Sequence, residues 1–198
     1  MASKATKTTH YIIKTVAPIF TKKGYAGTSL SDLTEATDLT KGAIYGNFKN
    51  KEDLALQCFK YSVDVLIGKI HTQINTTDSA IQKLFVLTNF YRFYNSHVKE
   101  LGGCPILSVG MDAYGRYEGL LSEVQTAIEK ILAIIADSIV EGKSKNEINP
   151  FINPYDTSKK LYSLICGSVF MATVMNNPAY LKEGMNHVDQ VIIKELKR

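Results

Sequence analysis

Apolar residues recur at intervals of three and four along almost the whole 198-residue chain. That is the period of one face of an α-helix, and the strict alternation of a half-buried strand is nearly absent. Ile13, Ala17 and Phe20 mark the inward face of a first helix that closes at Gly24, with Lys22 and Lys23 in its last turn. Pro18 lies inside it and predicts a local kink, because an interior proline removes a backbone donor. Two short helices follow. Thr28 or Ser29 caps the first, with Leu30, Leu33 and Ala36 facing inward; after the turn Thr37-Asp38-Leu39, Thr40 caps a second that runs from Lys41 to Asn47. Asn50 with Asp53 three positions on reads as a capping-box variant opening a long helix to about Ile74.

The rest of the pattern is longer helices. One starts at Thr77 or Asp78, carries Phe85, Phe90, Tyr91, Phe93 and Tyr94, and ends at Gly102-Gly103. Cys104-Pro105 begins a short helix, since proline suits the first helical position. A helix from about Tyr117 to Val140 presents Leu121, Val124, Ile128, Ile131, Ile135 and Ile139, and Gly142 to Pro154 reads as a loop. Two helices, roughly Asp156 to Met175 and Ala179 to Leu196, close the chain on either side of Asn176-Asn177-Pro178. The expected fold is therefore all-α with about nine helices: a three-helix N-terminal domain over residues 1–52 and a six-helix domain over 53–198.

Charge changes this picture in one place. Residues 1–51 hold eight lysines (4, 7, 14, 22, 23, 41, 49 and 51) against Asp32, Glu35 and Asp38, a local charge of +5, while the remainder is −1. The positive excess of a chain with net charge +4 thus sits entirely in its first quarter. Clustered lysine at two short capped helices is what neutralising DNA phosphates requires. It also suits a helix-turn-helix that offers one helix start to the major groove. Thr40, Lys41 and Gly42 supply that start, Tyr45 lies one turn further on the same face, Asn47 is placed to reach a phosphate or base edge, and Lys51 is placed to grip the flanking backbone.

Other chemistry is thin. Cys58, Cys104 and Cys166 are too widely spaced for a disulfide framework or a zinc site. Of the four histidines, those at 71, 97 and 187 are scattered with no partner at metal spacing, so no metal and no cofactor is expected. There is no nucleophile–base pair or glycine-rich phosphate loop, so an enzyme is not expected. No apolar run approaches the roughly 20 residues of a membrane span, and no signal peptide is visible, so a cytoplasmic protein without membrane contact is expected.

The stretch from Gly24 to Leu33 (Gly-Tyr-Ala-Gly-Thr-Ser-Leu-Ser-Asp-Leu), then Thr40 to Phe48 (Thr-Lys-Gly-Ala-Ile-Tyr-Gly-Asn-Phe), then Lys51-Glu52-Asp53-Leu54, resembles the N-terminal domain of the TetR family of bacterial regulators. The likeness runs in register from about Ile12 to Leu56. Gly46 departs from it, standing where many members carry a larger residue. The resemblance implies phosphate contacts by Thr28, Ser29, Thr40, Tyr45 and Lys51, and a groove lining of Lys41, Gly42, Tyr45 and Asn47. It further implies a homodimer on a palindromic operator, controlled by a small-molecule effector. For the dimer interface the small residues Gly167 and Ser168 beside Leu164, and the stripe Met185, Val188 and Ile192, are the expected surfaces. For a lipophilic effector the expected pocket combines Phe90, Tyr91, Tyr94, Met111, Tyr114 and Met171. Cys104 joins them as a candidate reactive thiol, because a helix N-terminus favours a thiolate.

Overall fold

The computed structural model describes the backbone of residues 4–198 and side chains from residue 6, so the side chain of Lys4 lies outside the described residues. The elements are α1 (Lys4–Gly27), α2 (Leu30–Thr37), α3 (Lys41–Tyr45), α4 (Lys51–Ile74), α5 (Ala80–Arg92), α6 (Tyr94–His97), a 3₁₀ turn (Lys99–Leu101), α7 (Pro105–Ala113), α8 (Glu118–Ser144), α9 (Pro154–Val174), α10 (Ala179–Val191) and a π-helical turn (Ile192–Leu196). Among the described residues there is no strand, only an isolated bridge between Ile148 and Lys197. The fold is all-α, as the periodicity implies.

Two compact units divide the chain. The first takes residues 1–66 and 98–127, and the second residues 67–97 and 128–198. In the first unit α1 buries Ile12, Val16, Ala17 and Phe20, so its inner face is set by Ile12 and Val16, while Ile13 is only half-buried. The backbone stays helical through Pro18 and breaks instead at Gly24, where φ is +75°. Glycine takes that left-handed value without the Cβ clash other residues suffer. Leu33 and Ile44, both fully buried, pin α2 and α3 to this core. Ala36, expected inside, is exposed, and Thr37 takes the inner position with its hydroxyl on the Leu33 carbonyl.

In the second unit α5, α8, α9 and α10 bury Leu84, Leu87, Ile131, Ile135, Ile165 and Val188. Burial of each such side chain stabilises by about 1.5–3 kcal/mol relative to exposure. Arg92 pairs with Asp189, whose other oxygen accepts from the Thr88 hydroxyl at 2.6 Å, tying α5 to α10. The aromatic helix expected to reach Gly102 stops at Arg92. Phe93 leaves the helical backbone and is 58% exposed, and the chain continues as α6 and the 3₁₀ turn. Helix α8 runs on to Ser144, four residues past the expected end, and Gly142 belongs to it.

Candidate nucleic-acid interface

Local capping builds the helix-turn-helix. Ser29 caps α2: its hydroxyl accepts from the Asp32 amide at 3.1 Å, and the Asp32 carboxylate accepts from the Ser29 amide at 2.7 Å. Asp38 ends α2 in a left-handed conformation, φ 53°. Asp and Asn adopt this more readily than other non-glycine residues. Thr40 then caps α3, accepting from the Ala43 amide at 3.2 Å. Asn50 caps α4, accepting from the Asp53 amide at 2.8 Å, and the Asp53 carboxylate accepts from the Lys49 amide at 2.9 Å, one residue earlier than a standard box would place it. Each cap contributes about 1 kcal/mol.

Hydrogen bonds from Lys23 and then from the Ser29 amide and hydroxyl hold the Asp32 carboxyl at about 2, against 3.8 for the free side chain. Its folded pKa lies below the unfolded one, so its contribution is present above about pH 4 and is lost as the pH falls toward 2. A wild-type acid titration followed by circular dichroism should show this loss in that window. Asp32→Asn, which has no carboxylate to titrate, should remove that component and leave later acid unfolding in place.

With Ile44 buried beneath it, α3 exposes Lys41, Gly42, Ala43 and the following Gly46, and half-exposes Tyr45. Lys41 and Tyr45 are the two α3 side chains that combine exposure with groups able to bond base edges or phosphates. Three other expected contact residues have partners within the fold. Thr28 is 1% exposed and its hydroxyl donates to the Gly24 carbonyl at 2.7 Å, closing the turn after the helix break. Asn47 accepts from the Thr9 hydroxyl at 2.9 Å and donates to the Ala43 carbonyl at 2.9 Å, so both ends of its amide are held within the fold. Lys51 donates to the Tyr25 carbonyl at 2.6 Å and lies 4.5 Å above the Tyr25 ring. Burial of its ammonium lowers its pKa.

Sequence reasoning missed the residue across from this site. Asp112 on α7 accepts from the amides of Tyr25 at 2.6 Å and Ala26 at 3.2 Å, directly after the break at Gly24. A lone carboxylate on the otherwise apolar helix Pro105–Ala113 was its only trace in the sequence.

The expected effector and dimer residues are dispersed. Phe90, Tyr91 and Tyr94 do come together, at 2–3% exposure and with ring centroids 5.0–6.1 Å apart. His97 stacks on Phe90 at 4.4 Å. They are packed core. Met111 and Tyr114 are surface residues of the first unit, 72% and 75% exposed, and Met171 stands on the outer side of α9 at 38%. Met111 and Tyr114 turn outward because α7 buries its other face, with Ile106, Val109 and Ala113 inside. A different apolar cleft of about 190 Å³, its open mouth included, lies in the second unit among Leu84, Leu87, Ile135, Leu161, Val188 and Ile192. Cys104 is half-buried at the N-cap of α7, as its place before Pro105 implies. Burial raises the Cys58 thiol pKa, whereas Cys166 is only half-buried.

Met185, Val188 and Ile192 are 0–1% exposed within their own chain. The single apolar stripe of α10 is needed to pack on α5 and α9, so it is not available to a partner. The outer side of α9 offers apolar surface instead: Leu164 at 40%, Phe170 at 48%, Val174 at 63% and Met175 at 54%, with exposed Gly167 among them. Ser168 is half-buried and lies against Gly184 of α10, where any added Cβ would overlap its hydroxyl.

A capped helix-turn-helix with a lysine-bearing, exposed second helix, joined to a larger helical module, defines a DNA-binding transcriptional regulator. Residues 12–58 match the model described as bacterial regulatory proteins of the tetR family, and residues 80–188 match that of the tetracyclin repressor-like C-terminal domain. The chain belongs to the TetR family. A solved TetR-family regulator from Cytophaga hutchinsonii is 30% identical, superposes with a TM-score of 0.93, and shares 98% of this chain and 96% of its own. The helix-turn-helix negative regulator IcaR of a Staphylococcus epidermidis biofilm operon is 26% identical over 136 residues, 66% of each protein, so the chain spans just under two thirds of that relative. The Bacillus subtilis regulator FadR, solved with stearoyl-CoA, has the same fold at 18% identity, with a TM-score of 0.76 over 93% of this chain and 97% of its own. No helix among the described residues is long and apolar enough to cross a membrane.

Proposed function

We propose that the chain is a cytoplasmic repressor rather than an enzyme, which binds a palindromic operator as a homodimer and leaves it when a small lipophilic or reactive effector is bound. Residues 1–52 act as the reading head and residues 53–198 as the effector-binding and dimerising part. The observation that carries the reading is α3: Lys41 stands exposed and Tyr45 half-exposed on a short helix whose underside is anchored by fully buried Ile44. A rigid base with a free polar face is what groove readout asks for. Lys41, Tyr45, Thr40 and Ser29 make the direct DNA contacts. Negative regulation by IcaR and the acyl-CoA held by FadR support repression and a lipophilic effector.

Dimerisation through the outer side of α9 has its own test. A Cβ added at Gly167 meets nothing within 4 Å in its own chain. Gly167→Leu should therefore leave the subunit folded but hold a facing helix away, since overpacking costs ~1–3 kcal/mol. Sedimentation should show a shift from dimer to monomer, and operator affinity should fall with it. An intact dimer would place the interface elsewhere. Native mass spectrometry of the purified protein tests the whole proposal, because it reports subunit number and any retained ligand together. The expected spectrum is a dimer that sheds a small apolar molecule on activation. A monomer, or a dimer whose operator binding no added lipophile alters, would count against it.

A further inference from the structure

The carboxylate of Asp112 sits in a site built for an anion. After Gly24 takes its positive φ, the next two backbone amides, those of Tyr25 and Ala26, point the same way and both donate to Asp112 Oδ2. Successive amides following a left-handed residue form a concave nest whose partial positive charge suits one negatively charged oxygen. Lys51 places an ammonium close by, donating to the Tyr25 carbonyl at 2.6 Å. The Asp112 oxygen presses on the Gly24 backbone so closely that a Cβ there would lie 3.0 Å from it. The other oxygen, Oδ1, faces Arg116 at 3.9 Å, and the side chain is 18% exposed.

Two observations point to a second occupant. Ala26, Gly27 and Ser29 are exposed, so the nest opens at the surface beside the α2 cap. Ser29, exposed at the α2 cap, and the Lys51 ammonium on the Tyr25 carbonyl flank the nest, so polar and cationic groups converge on it. A carboxylate at this spot neutralises the charge that would otherwise grip the backbone of DNA.

We propose that Asp112 is an internal phosphate surrogate: its carboxylate fills an anion site made by the Tyr25 and Ala26 amides, and an operator phosphate takes that site, with the neighbouring Lys51 ammonium beside it, when α7 withdraws. Asp112 then works as an autoinhibitory contact. It leaves the protein's affinity for DNA below what its own amides and lysine would allow, and any event that moves α7 changes that affinity. This inference rests on the DNA-binding reading above.

Asp112→Asn separates charge from geometry, because the amide oxygen still accepts from both backbone amides. In fluorescence anisotropy with the full-length protein and its operator, Asp112→Asn should bind at least about fivefold more tightly at low salt. The plot of log affinity against log salt should steepen by about one per subunit, the signature of one more phosphate contact. Adding Lys51→Met should erase that difference. Equal or weaker binding by Asp112→Asn with an unchanged slope would overturn the proposal and leave Asp112 as a structural tie. Should the variant not fold, nuclear magnetic resonance on the wild type decides the matter. Adding operator should shift the Tyr25 and Ala26 amides and move the Asp112 carboxyl carbon toward the position of a free carboxylate, and signals that stay in place would refute it. If the wild type and Lys41→Ala bind all duplexes alike, the failure belongs to the DNA-reading assignment and not to Asp112.

Discussion

Replacing Lys41 and Tyr45 together with alanine should reduce operator affinity by roughly 10²- to 10⁴-fold, to the level of random DNA, at about 1–3 kcal/mol per lost contact. The fold should survive, because neither side chain belongs to the buried core and such surface changes fall within about 0.5 kcal/mol. The two halves of the pair should differ. Lys41→Ala should relax sequence preference at one position of each half-site and also flatten the salt dependence, since a lysine serves base edges and phosphates alike. Tyr45→Ala should weaken all sequences more evenly. Retention of wild-type affinity in the double variant, with a normal melting curve, would move the reading surface off α3.

The largest effect on stability is expected at Gly102. It ends the 3₁₀ turn with φ +79°, and an added Cβ would overlap the backbone carbonyl of Pro18 on α1. Backbone cannot rotate away as a side-chain tip can, so the Gly102→Ala chain must shift where α1 meets the turn. Left-handed strain of about 1–2 kcal/mol and overpacking of about 1–3 kcal/mol act together. The sum is a large part of the ~5–15 kcal/mol that holds a typical protein folded. Thermal unfolding should begin roughly 5–20 °C lower. Gly115→Ala is the comparison: its φ is similar, +70°, but nothing lies within 4 Å of the added carbon. It should cost only the strain. Equal losses at the two positions would show that the contact with Pro18 carries no weight.

What could be read from the sequence was local. Ser29, Thr40 and Asn50 cap helices through amides three residues away, so the helix-turn-helix could be placed almost to the residue. The period of α8 exposes its core face in the same way, with Val124, Ile131, Ile135 and Ile139 buried. What could not be read was decided by partners far along the chain. Lys51 and Asn47 look free in sequence, yet Tyr25 and Thr9 hold them across separations of 26 and 38 residues. Asp112 meets Tyr25 across 87. The stripe of α10 was visible, but amphipathicity says only that one face is covered, not whether a partner or the same chain covers it. Aromatic spacing likewise found Phe90, Tyr91 and Tyr94 without telling packed core from ligand wall. The break at Phe93 carries no glycine or proline to announce it.

One binding measurement tests operator recognition by this protein most directly. A palindrome selected from random duplexes by the purified dimer, and a scrambled duplex of the same composition, are titrated by fluorescence anisotropy at physiological salt. The expected result is one dimer per palindrome, affinity at least about 10³-fold above that for the scrambled duplex, and loss of that preference in the Lys41/Tyr45 double alanine variant. Equal affinity of the wild type for the two duplexes would contradict it.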